Sequence, residues 1–364
     1  MTIQELETPA LVIDLDVMER NLCRTAGYAR EHALRLRPHT KTHKIPALAR
    51  RQCELGAAGL TVAKVGEAEV MLRAGPDDLL VAYPVLGRSK LMRLMRVASQ
   101  TRVTVALDSL EAARDLSDAA AAAGLTVGVL AEFDAGLDRM GVRPGPELVG
   151  LARAIAGLPN LSFEGVTFYP GHIKRLDAEG EHKLERLAQL LRSVAADFER
   201  ARIPLPVVSG GSTPTLFHSH RLPVLNEIRP GTYLLNDRNT LDAGACTLAD
   251  CAASILATVV SNARGDFVMI DGGSKTFSSD RSTGAEEATF GLMADAPGAK
   301  FVKMNEEHGY VDVRECERRL AVGDRVRVIP NHICVAMNLH EQVYGIRGGE
   351  VEQVWNVEAR GKLQ

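Results

Sequence analysis

The sequence predicts an α/β protein: a parallel (β/α)8 barrel of the TIM type, followed by a smaller, mostly β domain. Two observations lead there. Over roughly 230 residues, short apolar runs alternate with helical stretches, the pattern of a parallel sheet covered by helices. After Cys251 the helical windows thin out, and short strands follow one another between turns such as Asp271-Gly272-Gly273 and Gly348-Gly349. An open doubly wound sheet would produce the same alternation in the first part, but the number and length of the repeated units favour the barrel. The barrel is placed at residues 10–240 and the β domain at 241–364, with residues 1–9 assignable to either.

Thr8 to Asp16 contains an apolar run with β-branched residues and reads as a strand. Asp16 can cap a surface helix from Val17 to Glu31. Ile45 to Leu55 is helical and stops before Gly56. Gly59 to Ala63 reads as a strand, Glu67 to Arg73 as a helix and Leu79 to Pro84 as a buried strand. The unit then repeats: strand Arg102 to Leu107, helix Leu110 to Ala123, strand Thr126 to Glu132, helix Leu148 to Ile155, strand Phe163 to Tyr169, helix Leu184 to Arg202. Pro206 to Val208 leads into Ser209-Gly210-Gly211. In the last third Ile255 to Val260, Phe267 to Ile270, Tyr310 to Val313, Arg325 to Ile329, Gln342 to Ile346 and Val351 to Val357 read as strands.

The 364 residues are 46% hydrophobic but only 4% aromatic, so the core is built from Leu, Val, Ala and Ile. A net charge of -3 gives no reason to expect nucleic acid or an anionic membrane as partner. No run of 18 apolar residues occurs, and the N-terminus lacks a basic-then-apolar signal, so a cytoplasmic location is expected. Six cysteines, at 23, 53, 246, 251, 316 and 334, form no CxxC and read as reduced core residues, Cys334 excepted.

The densest chemistry lies in Arg37-Pro38-His39-Thr40-Lys41-Thr42-His43-Lys44, where two lysines, two histidines and an arginine share eight residues after a short strand. Ligands bind at the C-terminal ends of strands in barrels and open α/β sheets. A lysine there can pair with an anion or act as a covalent nucleophile, and a solvated basic turn has the same composition. The stretch resembles the cofactor-lysine segment of the D-threonine aldolase and D-serine dehydratase family, pyridoxal-phosphate enzymes of the alanine-racemase type, whose pattern reads Arg-Pro-His-x-Lys-x-His-Lys. The resemblance implies that Lys41 bonds to the cofactor and that Lys44 is a charged neighbour.

Such a cofactor needs a phosphate cradle, a group facing its ring and packing on the ring face. Ser209-Gly210-Gly211-Ser212-Thr213 can supply backbone N–H groups and hydroxyls to a phosphate, although the same run makes an ordinary loop. It resembles the family's phosphate loop. Arg229-Pro230-Gly231-Thr232-Tyr233 resembles the second half of that cradle, adding Gly231 and Tyr233, the latter equally readable as a packed aromatic. Glu132 to Val142 resembles a segment in which an arginine, here Arg139, reaches the cofactor. Its planar charge suits a phenolate oxygen or a carboxylate, or a salt bridge to Asp134 or Asp138. Tyr169-Pro170-Gly171-His172 ends a strand, which places Tyr169 against the ring and makes His172 a candidate acid or base.

His332 and Cys334, two residues apart, would share one face of a strand. Imidazole and thiolate suit zinc, and two protein ligands leave positions open for water and substrate oxygen; core packing is the plainer account. The dehydratases of the family carry this His-x-Cys after Pro-Asn. The aldolases more often have His-x-Asp, a harder site suited to manganese or magnesium. Asn305 to Gly309 and Asn338-Leu339-His340-Glu341 also resemble family segments, the second more aldolase-like. His308 and His340 are therefore candidates for a supporting role, with a solvated surface as the alternative.

The resemblance implies a lyase acting on small D-amino acids with a β-hydroxyl, as a homodimer with shared active sites. Two reactions are open: dehydration to an oxo acid and ammonia, and aldol cleavage to glycine and an aldehyde. A metal-free racemase and a non-catalytic pyridoxal-phosphate carrier are the weaker alternatives. Dehydration is expected to dominate. The metal pair is His-x-Cys, the loop reads Gly-Ser-Thr-Pro as in the dehydratases, and Arg175 stands where the aldolases have a histidine base six residues after the tyrosine.

Overall fold

The structure is a computed structural model that describes residues 1–282 and 289–364. The strands are β1 (Ala10–Asp14), β2 (Arg35–Leu36), β3 (Leu60–Val62), β4 (Asp78–Val81), β5 (Arg102–Leu107), β6 (Val127–Glu132), β7 (Leu161–Thr167), β8 (Val207–Gly210), β9 (Glu227–Ile228), β10 (Ala253–Ser261), β11 (Phe267–Ile270), β12 (Gly291–Met293), β13 (Lys300–Met304), β14 (Gly309–Asp312), β15 (Arg325–Pro330), β16 (Gln342–Arg347) and β17 (Glu350–Asn356). The α-helices are α1 (Leu15–Glu31), α2 (Pro46–Glu54), α3 (Val65–Met71), α4 (Arg88–Ala98), α5 (Leu110–Ala123), α6 (Pro146–Ala156), α7 (Ala178–Ala201), α8 (Arg238–Asp242), α9 (Ser274–Phe277) and α10 (Ile333–Leu339). The chain divides into two compact units. One holds Arg24–Lys41, Pro46–Gly231 and Gly361–Gln364; the other holds Met1–Cys23, Thr42–Ile45 and Thr232–Arg360.

The first unit is the parallel barrel. Its eight strands run in the order β2-β9-β8-β7-β6-β5-β4-β3. The two ends of that sheet meet: the Thr61 N–H donates to the Pro38 carbonyl at 2.8 Å, the Thr40 N–H donates to the Thr61 carbonyl at 2.9 Å, and His39 and Thr61 form a parallel bridge. The strands β4 and β6 are buried at every residue, as parallel strands covered on both faces must be. Local signals set the helix limits. Ser109 caps α5 by accepting the Ala112 N–H, and the helix stops at Gly124 in the left-handed conformation. Asp177 caps α7 in the same way through the Gly180 N–H. Helix α4, to which the sequence reading assigns no element, presents Leu91, Leu94, Met95 and Val97 inward.

Charge is buried inside this barrel. Arg37 pairs with Asp78 at 2.9 Å and with Glu227 at 2.9 Å, and these residues are 4%, 6% and 0% exposed. Burial alone would lower the Arg37 pKa, but hydrogen bonding and charge from Asp78 and Glu227 raise it above its ordinary value. The two carboxylates come from β4 and β9, which are not neighbours in the sheet, so the guanidinium bridges the barrel interior.

The second unit is antiparallel apart from the β1–β16 pairing. Its nine strands run β11-β14-β13-β12-β15-β10-β1-β16-β17, and β11 also pairs with β10, so that six of them close into a ring. Where the sequence reading begins the barrel at residue 10, the structure pairs β1 with β10 on one side and β16 on the other. Ala10 to Ile13 are fully buried, and an apolar strand of that kind carries no mark of which sheet it joins. The unit boundary lies at Gly231 and Thr232 rather than at 240, and Thr42–Ile45 leave the basic motif to join the β unit. Strands β12 and β13 and helix α10 have no counterpart in the sequence reading. The six cysteines are half-buried or exposed rather than core.

Replacing Arg37 with Met removes the buried guanidinium that Asp78 and Glu227 share and leaves them with weaker partners, Arg102 at 3.8 Å and Arg35 at 3.6 Å. The expected loss is about 3–5 kcal/mol, seen as a lower urea midpoint of the barrel transition at unchanged slope.

Candidate active site

The basic motif leaves β2 and turns along the closing seam of the barrel, where the His39 N–H donates to the Pro230 carbonyl at 3.0 Å. The Arg229 N–H donates to the Gly210 carbonyl at 3.1 Å. The segments around Lys41, Gly210 and Gly231 are thus hydrogen-bonded neighbours at the C-terminal ends of β2, β8 and β9. Lys41 is exposed. Its Nζ lies 5.9 Å from the centre of the Tyr169 ring, and the Arg139 guanidinium lies 4.9 Å from that centre. Two cations from separate loops converge on one aromatic, an arrangement suited to an anionic, planar ligand. Asp134 caps its own turn by accepting the Gly136, Leu137 and Asp138 N–H groups.

His172 follows Tyr169 at the end of β7. Its Nδ1 is buried with no hydrogen-bond partner, as is the Thr167 hydroxyl in the same strand end. Burial, then the charge of Lys183, lowers the His172 pKa, so its imidazole is neutral near pH 7. A Cβ at Gly136 would stand 3.3 Å from the ring, so glycine there leaves the imidazole its place.

The glycine loop is built for close approach. A Cβ on Gly210 would sit 2.4 Å from the Phe168 ring, and Gly211 has a φ of +93°. The Ser212 and Thr215 hydroxyls are 3.1 Å apart. Ser209 departs from the sequence reading. Its hydroxyl is fully buried, donates to Glu227 at 2.7 Å and accepts from Arg229 at 2.6 Å, because Ser209 is the inward residue of β8. It faces the buried charges and not the loop of Gly210 to Thr213. Gly231 closes the barrel unit, whereas Tyr233 belongs to the β unit and is 4% exposed.

Two charged residues at this end stand in segments the sequence reading names but receive no role there. Glu132 ends β6, and its pKa is raised by burial, against the pull of Arg229. Arg229 donates to Ser209 and to the Phe168 carbonyl, and burial lowers its pKa. A lone charge ending an apolar strand, as in Val127–Glu132, is the signal that would have found the first.

In the β unit, His332 and Cys334 do not lie on a strand. β15 ends at Pro330, His332 caps α10, and Cys334 is in its first turn. Hydrogen bonding to Cys334, against burial, pushes the His332 pKa up to about 9. The His332 Nδ1 also lies 3.3 Å from Asp280, and the Cys334 thiol donates to the Thr42 hydroxyl at 3.2 Å. Asp237, 2% exposed, holds this turn: one carboxylate oxygen accepts the Ile333 N–H between the two residues, and the other accepts the Thr240 N–H. An imidazole and a thiol on one turn can share one ion, and no cluster of three or more acidic, His or Cys ligands occurs among the described residues.

Lys44 is turned away from such chemistry within the β unit. Its ammonium donates to the Asn338 side chain at 3.0 Å and to the Ala359 carbonyl at 3.4 Å. His340 lies beside the Thr276 carbonyl at 3.1 Å, and His308 lines a surface cavity of about 630 Å³ with Arg281 and Asn305. No helix among the described residues is long and apolar enough to cross a membrane.

A parallel barrel with a glycine cradle and a lysine at its strand ends, joined to an antiparallel β unit, has the alanine-racemase-like architecture. The chain belongs to the family of the alanine racemase N-terminal domain, which matches residues 13–239, and a serine dehydratase domain matches residues 252–346. It is 33% identical to the 3-hydroxy-D-aspartate aldolase of Paracoccus denitrificans (strain Pd 1222), over 98% of this chain and 93% of that protein. It is 32% identical to the D-threo-3-hydroxyaspartate dehydratase of Delftia sp. (strain HT23), over 92% of each. The crystal structure of the D-threonine aldolase from Filomicrobium marinum superposes with a TM-score of 0.92 at 32% identity, covering 100% of this chain and 98% of that one. Such relatives are carbon–carbon and carbon–oxygen lyases of D-amino acids, and so is the class of this enzyme. Fold and relatives together imply pyridoxal phosphate.

Proposed function

We propose a pyridoxal-phosphate- and divalent-metal-dependent lyase of small D-β-hydroxy amino acids. Its main reaction is dehydration to an oxo acid and ammonia. The observation that carries this reading is His332 and Cys334 two residues apart at the start of α10, on a turn held by Asp237, a soft donor pair that favours zinc over manganese or magnesium. A metal-free racemase has no use for such a pair.

When bound, the cofactor supplies an electron sink at the substrate α-carbon and the metal a Lewis acid for its β-oxygen. Lys41 would hold the cofactor, and its Nζ would take the substrate α-proton. The backbone of Gly210 to Thr213, with Gly231 and Tyr233, holds the phosphate. Arg139 holds a phenolate oxygen or the substrate carboxylate, and Tyr169 packs on the ring. His172 is neutral and has an unused Nδ1, so it can take a proton. Asp237 fixes the metal turn without touching the ion.

Aldol cleavage to glycine and an aldehyde is the second reading. It is favoured by the Asn338-Leu339-His340 segment and by the aldolases among the relatives. Against it stands Arg175, which stays protonated and cannot act as base for the β-hydroxyl.

Lys41→Ala is expected to abolish the visible cofactor band that borohydride traps, whereas Lys44→Ala keeps it; the reverse pattern identifies the wrong lysine. Chelation is expected to remove activity while the cofactor spectrum persists, and Asp237→Asn to weaken metal binding about 10- to 100-fold in a competition assay. Full activity without metal above trace levels refutes the metal reading. With D-threo-3-hydroxyaspartate or D-serine, stoichiometric ammonia and oxo acid are expected, and glycine with an aldehyde as main products reverses the two readings. The family resemblance further supports a homodimer with shared sites, a small D-amino acid as the other partner and a cytoplasmic location. Light scattering should return the mass of two chains, and a single-chain mass at working concentration rules the dimer out.

A further inference from the structure

Within the barrel unit, a cluster of aromatic rings lies apart from the candidate site residues. His32, just past the end of α1, stacks on His220 with ring centres 4.2 Å apart and planes 11° from parallel. His220 belongs to the 3-10 turn Leu216–Arg221 that follows the glycine loop. Tyr28, one turn before His32, pins the stack. Its phenol oxygen accepts the His220 main-chain N–H at 3.1 Å and lies 2.8 Å from the His220 Nδ1. The Tyr28 ring also meets the Phe217 ring edge-on at 5.3 Å. The same turn is bonded back into the glycine loop. The His218 N–H and the Ser219 hydroxyl both donate to the Thr215 carbonyl, at 3.0 and 3.2 Å, and the Thr215 and Ser212 hydroxyls are 3.1 Å apart. We propose that the His32–His220 stack, pinned by Tyr28, is a proton-operated latch that holds this turn against α1 near neutral pH and releases it in acid.

The hydrogen-bond inventory sets the direction. A phenol has one proton to give. Its oxygen already accepts a main-chain N–H, so that proton goes to the bare Nδ1 of a neutral His220. Protonation makes Nδ1 a donor, and the phenol proton, on a side chain only 9% exposed, then loses its acceptor. Two charged imidazoles also repel in a stack, so the pair titrates as a unit. The charges around the stack act in the same sense. Arg24 of α1 stands over the Phe217 ring at 4.8 Å, and Arg221 donates to the His218 Nδ1 at 3.2 Å. Of the carboxylates, Glu181 of α7 is engaged by Arg221 at 3.1 and 2.6 Å, which leaves Glu31 to oppose. Burial, then the charges of His32, His218 and Arg221, accordingly lower the His220 pKa from its ordinary 6.5. The open turn binds more protons than the latched one, so the latch is held above that value and lost as the pH falls below it.

The latch stands on these contacts alone; its consequence for the cofactor, a phosphate loop loosened in acid, rests on the function proposed above. The test reads the two separately. In the full chain, hydrogen exchange of residues 213–221, corrected for its intrinsic pH dependence, is followed by mass spectrometry from about pH 7.5 to about pH 5.5. Protection is expected to fall with acid. The double variant His32→Phe with His220→Phe keeps two rings and the main-chain bond to Tyr28 but has nothing to titrate, and its protection should stay level. Tyr28→Phe should loosen the segment already at neutral pH and so lose most of the acid step. An equal acid loss in the double variant, a full acid step in Tyr28→Phe, or no acid loss in the unaltered chain would overturn the latch. With pyridoxal phosphate bound, release of the cofactor should quicken in acid in the unaltered chain and not in the double variant. A segment that loosens without quicker release refutes the link to the cofactor.

Discussion

Arg37 is the constraint around which the barrel is arranged. A guanidinium buried among apolar strands has to be met by carboxylates, and Asp78 from β4 and Glu227 from β9 meet it from opposite sides. Glu227 then accepts the Ser209 hydroxyl, and Ser209 accepts from Arg229, which also donates to the Phe168 carbonyl. A continuous polar chain thus runs from the closing seam of the barrel to the strand that carries the glycine cradle. It ties strand register to the position of Gly210, since β8 cannot slip without separating Ser209 from both partners. Gly59 shows how close the packing is: a Cβ there would lie 2.7 Å from an Arg37 nitrogen.

The two units divide the candidate site residues as well as the chain. Lys41, Arg139, Tyr169, His172 and the cradle belong to the barrel unit, and His332, Cys334 and Asp237 to the β unit. The unit boundary cuts the basic motif itself between Lys41 and Thr42. Eight contiguous residues therefore serve two structures: one side presents Lys41 next to Tyr169, and the other anchors Thr42 on the Cys334 thiol and Lys44 on Asn338. The neighbouring lysines differ in their surroundings more than in their sequence. Lys41 is exposed, and Lys44 is buried with its ammonium on acceptors almost three hundred residues along the chain.

The β unit relies on Asp237 in a similar way. This carboxylate caps α8 through Thr240, accepts the Ile333 N–H that fixes the His332–Cys334 turn, and has its carbonyl approached by Cys251. Burial raises its pKa, and the hydrogen bonds it accepts oppose that shift. One buried acid thus links α8 to the turn carrying the imidazole and thiol pair.

The sequence by itself determined most elements of the barrel and the class, but not α4, β12, β13 or α10. Apolar periodicity and punctuation depend on near neighbours, so β5, α5 and the first apolar strand are readable, and the run around Lys41 names the family. Only the tertiary structure decided which partners those elements take. An apolar strand such as β1 is the same string whether it joins a barrel or an antiparallel sheet. The Ser209 hydroxyl looks like a phosphate donor until Glu227 and Arg229 are found beside it. The α10 turn was missed because Pro-Asn-His-Ile-Cys carries β-type residues, while its helical start is held from outside by Asp237. Arg229 carries no role in the sequence reading for the same reason. A side chain's reactivity is set by what is packed against it, and those neighbours come from distant parts of the chain.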